Sequence, residues 1–290
     1  MLNSFCIKTN NKKILEQLQF EFKRCDIDEL YISMNKFKNY KNIILHYKGK
    51  DEMRFYSKLA KILQNTVNIF YEKHIIKNIL LSNYFYFSEI ERKQIQEYCL
   101  EMLTESKEDK KYRDSLIYNS FLKYIKRNKY LILDGFINFR LTEYIKSLDE
   151  IVDLAVDKFV IQREYNEFID LLRAYIASGE NKSEIIHLIY YDEESILLDE
   201  NKHLINTSSE IFDGKYLSDI SFSSNDYALN ALLNLIPKKL YIHLVDNNSD
   251  EFVNTLKQIF EDRVVICYKC SICNIYRNQK QNEKKFTIKE

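Results

Sequence analysis

Leu141-Thr142-Glu143-Tyr144-Ile145-Lys146-Ser147-Leu148-Asp149-Glu150-Ile151-Val152 opens the longest periodic segment of the chain. Leu141, Ile145, Leu148, Val152, Ala155 and Phe159 recur at alternating spacings of four and three, and Tyr165, Phe168, Leu172 and Tyr175 resume the pattern. Residues three and four apart share one face of a helix, so the spacing predicts a long amphipathic helix. No Gly or Pro interrupts it before Gly179, and a single break is expected near Gln162. The strict stepping suits the seam of a bundle packed within the chain, because the segment is short for an obligate coiled coil.

Upstream, residues 51–130 read as further helices of that bundle. Phe55, Leu59, Ile62, Leu63, Val67, Phe70 and Ile75 mark the first, Ile95, Tyr98, Cys99, Met102 and Leu103 the second, and Leu116, Ile117, Phe121, Tyr124 and Ile125 the third. The charged run from Glu105 to Lys111 is the expected connection between the last two. Residues 1–50 mix one helix with strand-like runs at Phe5–Ile7, Leu30–Ile32 and Ile43–Tyr47. Beyond Gly179 the pattern turns to strands. Ile185–Tyr191 and Ser195–Leu198 flank the acidic turn Asp192-Glu193-Glu194 as a hairpin, and a helix from about Asn225 is stopped by Pro237. A strand at Leu240–Val245, a helix at Ser249–Phe260 and a strand at Arg263–Cys267 then form a βαβ crossover, which requires parallel strands. The expected fold is therefore α+β and mainly helical. A small N-terminal α/β unit (1–50) precedes a central helical bundle (51–179), a C-terminal α/β domain (180–275) ends in a Cys cluster, and a polar tail (276–290) follows.

Composition agrees. The 290 residues include four Gly and one Pro, against average usage of roughly 7% and 5%, so long regular elements must dominate. The longest strongly apolar stretch, Asn78–Ser88, falls short of the ~20 residues that span a bilayer, and no basic segment followed by an apolar run opens the chain. A cytoplasmic location is expected, where the six Cys stay reduced or bind metal. Net charge is zero but uneven. Residues 1–133 carry 25 Lys and Arg against 16 Asp and Glu. Spread over so many residues, that excess reads first as a solvated surface.

The sharpest chemistry is Cys267-Tyr268-Lys269-Cys270-Ser271-Ile272-Cys273. Two thiolates of a Cys-x-x-Cys turn converge on one tetrahedral Zn²⁺, and the third Cys adds a ligand. The fourth must come from elsewhere, with His203, His243, Cys6 or a second subunit as the candidates. An iron–sulfur cluster would want a further Cys followed by Pro, which is absent. A thiol redox site would place the Cys-x-x-Cys at the start of a helix, and nothing helical is evident after Cys270. The bland alternative is three cysteines without a shared role.

Other features read more plainly. His74 continues the Val67–Phe70 face and Cys99 sits on an apolar stripe, so both are expected in or beside the core. The acidic groups Asp149-Glu150, Asp192-Glu193-Glu194 and Asp199-Glu200 fall on turns and solvated faces. At Asp246–Glu251 the helix entry has no Gly and three acids, which disfavours phosphate, and Ser249 reads as its N-cap. Lys123, Lys126, Arg127 and Lys129, interleaved with Tyr124 and Tyr130, are the best nucleic-acid candidates, although a basic helix end explains the same residues.

Tyr130-Leu131-Ile132-Leu133-Asp134-Gly135-Phe136-Ile137-Asn138-Phe139-Arg140-Leu141 with Glu143-Tyr144, the downstream Phe159-Val160-Ile161-Gln162-Arg163-Glu164-Tyr165-Asn166-Glu167-Phe168 and the terminal cysteines resemble the YtxC-like family. The resemblance is most specific over 130–175 and 235–273. It implies an association with sporulation in endospore-forming Firmicutes and brings no catalytic residues with it. Within the signature, Asp134 is expected to cap the long helix, Gly135 to permit the turn into it, and Arg140 to pair with a carboxylate across the bundle. No catalytic constellation is legible. The sequence thus favours a non-enzymatic interaction or scaffold protein with an unidentified protein partner and, at the cysteines, a structural zinc. The alternative is a nucleic-acid-binding protein or metal-dependent enzyme using the basic N-terminal half and the Cys cluster.

Overall fold

The structure is a computed structural model, described here for residues 3–37, 40–206, 223–246 and 249–278. Most of the expected polar tail, from residue 279 onward, lies outside the described residues. The chain divides into two compact units, 1–162 and 163–290, and is mainly helical with two small sheets, as expected for the α+β class.

In the first unit, β1 (Asn3–Thr9), α1 (Lys12–Arg24), β2 (Leu30–Phe37) and β3 (Tyr40–Tyr47) are followed by α2 (Glu52–Phe70), α3 (Glu72–Asn83), α4 (Glu89–Glu105) and α5 (Lys107–Ile125). Then come β4 (Tyr130–Ile132), α6 (Leu133–Arg140) and the first part of α7 (Thr142–Ser178). Asn11 caps α1 through the Lys13 and Ile14 N–H groups, and the helix buries Ile14, Leu15, Leu18 and Phe22 at helical spacing. The sheet runs β2-β3-β1-β4. Its fourth strand was not evident from local pattern. Three residues of β4 lie parallel to β1, with Cys6 opposite Tyr130, Ile7 opposite Leu131 and Lys8 opposite Ile132. A strand so short is recognisable only through its partner.

Other expectations are corrected. The run Glu105–Lys111 is not a loop. Ser106 alone separates α4 from α5, and its hydroxyl accepts from the Asp109 N–H, so the charged residues form the first turns of α5. The first bundle helix breaks at Tyr71, and α3 restarts with Ile75, Ile76, Ile79 and Leu80 buried, which leaves His74 exposed. The signature forms its own helix. Asp134 stands in the first turn of α6 and does not cap α7. Its carboxylate accepts from the Tyr71 hydroxyl at 2.6 Å and the Thr9 hydroxyl at 3.5 Å, tying α6 to β1 and to the α2–α3 break. Burial and then the Asp134 carboxylate push the Tyr71 hydroxyl well above its ordinary pKa. Arg140 ends α6 exposed, with no ion pair among the described residues.

Gly135 lies inside α6 and has no positive φ. A Cβ there would meet Ile132 Cγ2 at 3.8 Å, ordinary contact. Gly135→Ala is therefore expected to stabilise the first unit by about 0.5–1 kcal/mol through helix propensity. Urea unfolding measures this, and destabilisation would show that the turn does need glycine.

α7 is continuous at Gln162, where a break was expected. What changes there is the core it serves. Leu148, Val152, Ala155 and Phe159 pack in the first unit, whereas Ile169 and Ile176, with Tyr165 and Leu172 beside them, pack in the second. Phe168 and Tyr175, expected on the apolar seam, are about half exposed. The buried face follows the phase set by Phe159, and the aromatic residues fall one position off it.

The second unit holds β5 (Ser183–Tyr191), β6 (Glu194–Leu198), α8 (Ser224–Leu235), β7 (Pro237–Leu244), α9 (Glu251–Phe260) and β8 (Val264–Cys267). The sheet order is β6-β5-β7-β8. The hairpin β5–β6 is antiparallel and turns through Asp192 and Glu193, both at positive φ. β5, β7 and β8 are parallel, so the expected β7-α9-β8 crossover is joined by a second parallel pairing of β5 with β7. Ile236 takes the left-handed cap that ends α8 ahead of Pro237. The cap of α9 is Asp250, accepting from the Val253 N–H, and not Ser249.

Candidate metal centre

The parallel pairing of β7 with β8 sets His243 opposite Cys267. Partners in register point to the same face of a sheet, so the topology alone brings an imidazole and a thiol together at the ends of adjacent strands. The chain then turns through 268–270, and residues 271–278 are helical. This helix was missed in the sequence, where eight residues make only about two turns and are too short for a period to emerge. It begins directly after Cys270 and returns Cys273 toward Cys267.

Four ligand atoms converge. The Nδ1 of His243 and the sulfurs of Cys267, Cys270 and Cys273 all lie within 4.8 Å of one another. His243 Nδ1 is 3.2 Å from Cys270 Sγ and 3.4 Å from Cys273 Sγ. Cys273 Sγ is 3.6 Å from Cys270 Sγ and 3.8 Å from Cys267 Sγ. Zn–S bonds of about 2.3 Å and a Zn–N bond of about 2.0–2.1 Å, at tetrahedral angles, require edges of about 3.8 Å between sulfurs and about 3.6 Å between sulfur and nitrogen. These four of the six edges match that tetrahedron to within a few tenths of an ångström, and the other two are no longer than 4.8 Å. The donor set, three soft thiolates and one imidazole, is that of structural zinc.

Electrostatics favour the ligating form at two of the four residues, His243 and Cys270. Burial, then His187, lowers the His243 pKa to about 4, so the imidazole is neutral and a nitrogen lone pair is available. Its Nε2 lies 3.0 Å from Nδ1 of His187 on β5. With Nε2–H donated there, His243 Nδ1 is left free to face the thiols, the outer contact that metal-binding histidines use to fix their tautomer. His187 itself, lowered by burial and then by Lys202, stacks on Tyr241 with centroids 5.3 Å apart. Among the thiols, burial pushes Cys273 up. Burial also acts on Cys270, but hydrogen bonds outweigh it, the Cys273 N–H foremost, and bring Cys270 down. Arg277 closes the knuckle by donating to the carbonyls of Val245 and Tyr268. Ile189, Leu198, Val245 and Ile272 form a small apolar cluster with Cys270 packed against it.

Of the candidate fourth ligands, the structure brings only His243 to the thiols. His203 is exposed in the loop after β6, its Nδ1 3.5 Å from the Asp199 carboxylate. Cys6 lies on β1 in the first unit. His243 was one candidate among several because its strand register to Cys267 cannot be read from spacing. Cys99 is buried in the first core, and burial pushes its thiol up to about 12. Lys123, Lys126, Arg127 and Lys129 are exposed at the end of α5 and in the turn to β4. The acidic groups face solvent wholly or in part.

The architecture is that of a two-unit α+β protein whose second unit carries a Cys₃His cluster at the ends of parallel strands. Residues 57–265 match the YtxC-like family, and the chain belongs to it. The matched residues include His243 and stop two short of Cys267, so the thiols rest on geometry. The chain is also similar to a protein described as "Uncharacterized protein YtxC" from Bacillus subtilis (strain 168), 24% identical over 131 residues, 45% of this chain and 46% of the relative. The match thus spans about half the length of that curated relative. No solved structure matches. No helix among the described residues is long and apolar enough to cross a membrane.

Proposed function

We propose that this is a sporulation-associated interaction protein whose C-terminal unit is held together by a structural zinc ion on His243, Cys267, Cys270 and Cys273. The observation that carries the reading is the convergence of four ligand atoms with tetrahedral edges. Four protein ligands fill the coordination shell, and a structural zinc is bound this way, whereas a catalytic zinc keeps a position open for water. Burial of His243 and Cys273 and the His187 contact support a site that positions backbone elements. The sporulation role follows from the family resemblance. An interaction role draws support from Phe85, Tyr86 and Ile90, which are 73%, 65% and 72% exposed around the turn between α3 and α4.

Metal analysis of the purified full chain tests the site. One zinc per chain is expected, with His243→Ala, Cys270→Ser and Cys273→Ser each weakening zinc affinity by more than the roughly 10–100-fold that loss of an outer-shell partner costs. Cobalt reconstitution should give the spectrum of a tetrahedral thiolate site. Zinc-free protein that takes up neither metal, or variants that retain it fully, would sink the assignment.

A further inference from the structure

The basic stretch after α5 forms part of a concave surface in the first unit. One cleft of about 370 Å³ lies between the end of α5 and α6, lined by Lys123, Arg127 and Arg140 over the rings of Tyr124 and Phe136. A second, of about 340 Å³, is lined by Lys126, Arg127 and Lys129 beside Phe55 and Tyr56. Arg127 and Asn128 line both, so the clefts adjoin. Neither has a carboxylate in its lining, and volumes of a few hundred Å³ are those of ligand sites.

The helix end does not account for all five cations, since Lys129 lies beyond α5 and Arg140 ends α6. The Tyr124 carbonyl accepts from the N–H groups of Arg127 and Asn128 and from the Asn128 side-chain amide, and the Leu122 carbonyl accepts from the Lys126 N–H. Backbone and amide donors thus take the Leu122 and Tyr124 carbonyls at the end of α5, and no basic side chain donates to either of them. None of the five makes an ion pair among the described residues. Holding like charges together over low-dielectric walls raises the local potential for an anion. Aromatic rings accompany them. Tyr124 meets Phe136 edge-on at 5.0 Å in the first cleft, and Phe139, next in sequence to Arg140 but outside the cleft lining, is 78% exposed; the Tyr130 ring already carries Lys8 Nζ 4.9 Å from its centroid.

We propose that these adjoining clefts bind a single-stranded nucleic acid, the five cations on its phosphates and the lining rings against its bases. A backbone track of positive charge with stacking rings beside it is the physical form of single-strand binding. The lining rings give bases a face to stack on, and only an unpaired strand presents its bases to them. The surface owes nothing to the metal centre, so either assignment can fail without the other.

Anisotropy of the full chain with a labelled 12-nucleotide pyrimidine strand tests the proposal, with the matching duplex and inorganic phosphate as separate arms. Binding at 50 mM salt is expected, weakening on the order of a hundredfold at 200 mM if all five phosphates are contacted, since the salt slope for single strands is roughly −0.7 per phosphate. The double variant Arg127→Ala/Arg140→Ala should bind at least tenfold more weakly. Lys110→Ala/Lys111→Ala, at the other end of α5, should bind as the parent does, and circular dichroism verifies that both fold. No binding at low salt, salt-insensitive binding, equal loss in both variants, a duplex that binds as tightly as the strand, or retention of inorganic phosphate alone would each overturn the proposal.

Discussion

Stripping zinc with a strong chelator is expected to lower the melting temperature of the C-terminal unit by on the order of 10 °C. The argument starts from how little apolar material holds the end of the sheet. Ile189, Leu198, Val245 and Ile272 are the buried members of the cluster there, and β8 has only four residues. Beyond its pairing with β7 and the packing of Val264 and Ile266, so thin a margin gains much from a cross-link. Metal binding to ligands brought together by folding adds its free energy to the folded state, and an ion at a thousand times its dissociation constant contributes about 4 kcal/mol. Hydrogen exchange should localise the loss to 264–278, and added zinc should restore protection. Cys273→Ser protein should begin at the lower melting temperature and ignore the chelator. A wild-type protein that demonstrably loses zinc yet melts unchanged would refute a structural role.

The second large effect concerns the family signature. Phe121→Ala is expected to cost about 3–5 kcal/mol, as other large aromatic truncations in cores do. Phe121 is fully buried, and its ring stacks on Phe136 of α6 at 4.4 Å with planes 17° apart. Truncation would leave a cavity between α5 and α6 and remove the stacking partner. Phe139→Ala, on the same short helix but 78% exposed, should change stability by less than about 0.5 kcal/mol. Urea denaturation of both variants decides the matter. A cost below about 1 kcal/mol for Phe121→Ala would mean that α6 is not held by this contact, and the signature would need another reason to exist.

These two cases show which features the sequence carried. Elements with their own period were legible. The apolar steps of α7 up to Phe159, the hairpin around Asp192 and the β7-α9-β8 crossover follow from local spacing and turn chemistry, whereas Phe168 and Tyr175 lie off the face that spacing assigned them. So was the thiol triad, since its spacing is a local property. What depended on distant partners was not. β4 exists because β1 is there to pair with it. Asp134 found Tyr71 and Thr9 in place of a helix end. The fourth ligand was open until strand register set His243 beside Cys267. The helix at 271–278 is too short for a period to emerge, and without it Cys270 and Cys273 have no reason to converge.

The pairing of β4 with β1 also has a consequence in time. A ribosome adds roughly 5–20 residues per second, so the strand that completes the first sheet is made on the order of ten seconds after the strand it covers. During that interval the outer edge of β1 exposes the N–H and C=O groups that Tyr130–Ile132 will later occupy, and an open strand edge is a template for another chain. β1 carries Lys8 on that edge, opposite Ile132, and a lysine there is one of the devices that discourage such pairing. The nascent first unit is thus most exposed to association with its neighbours while α2 to α5 are still being made, and substitution of Lys8 by an apolar residue would be felt in yield from the ribosome before it was felt in the stability of the finished fold.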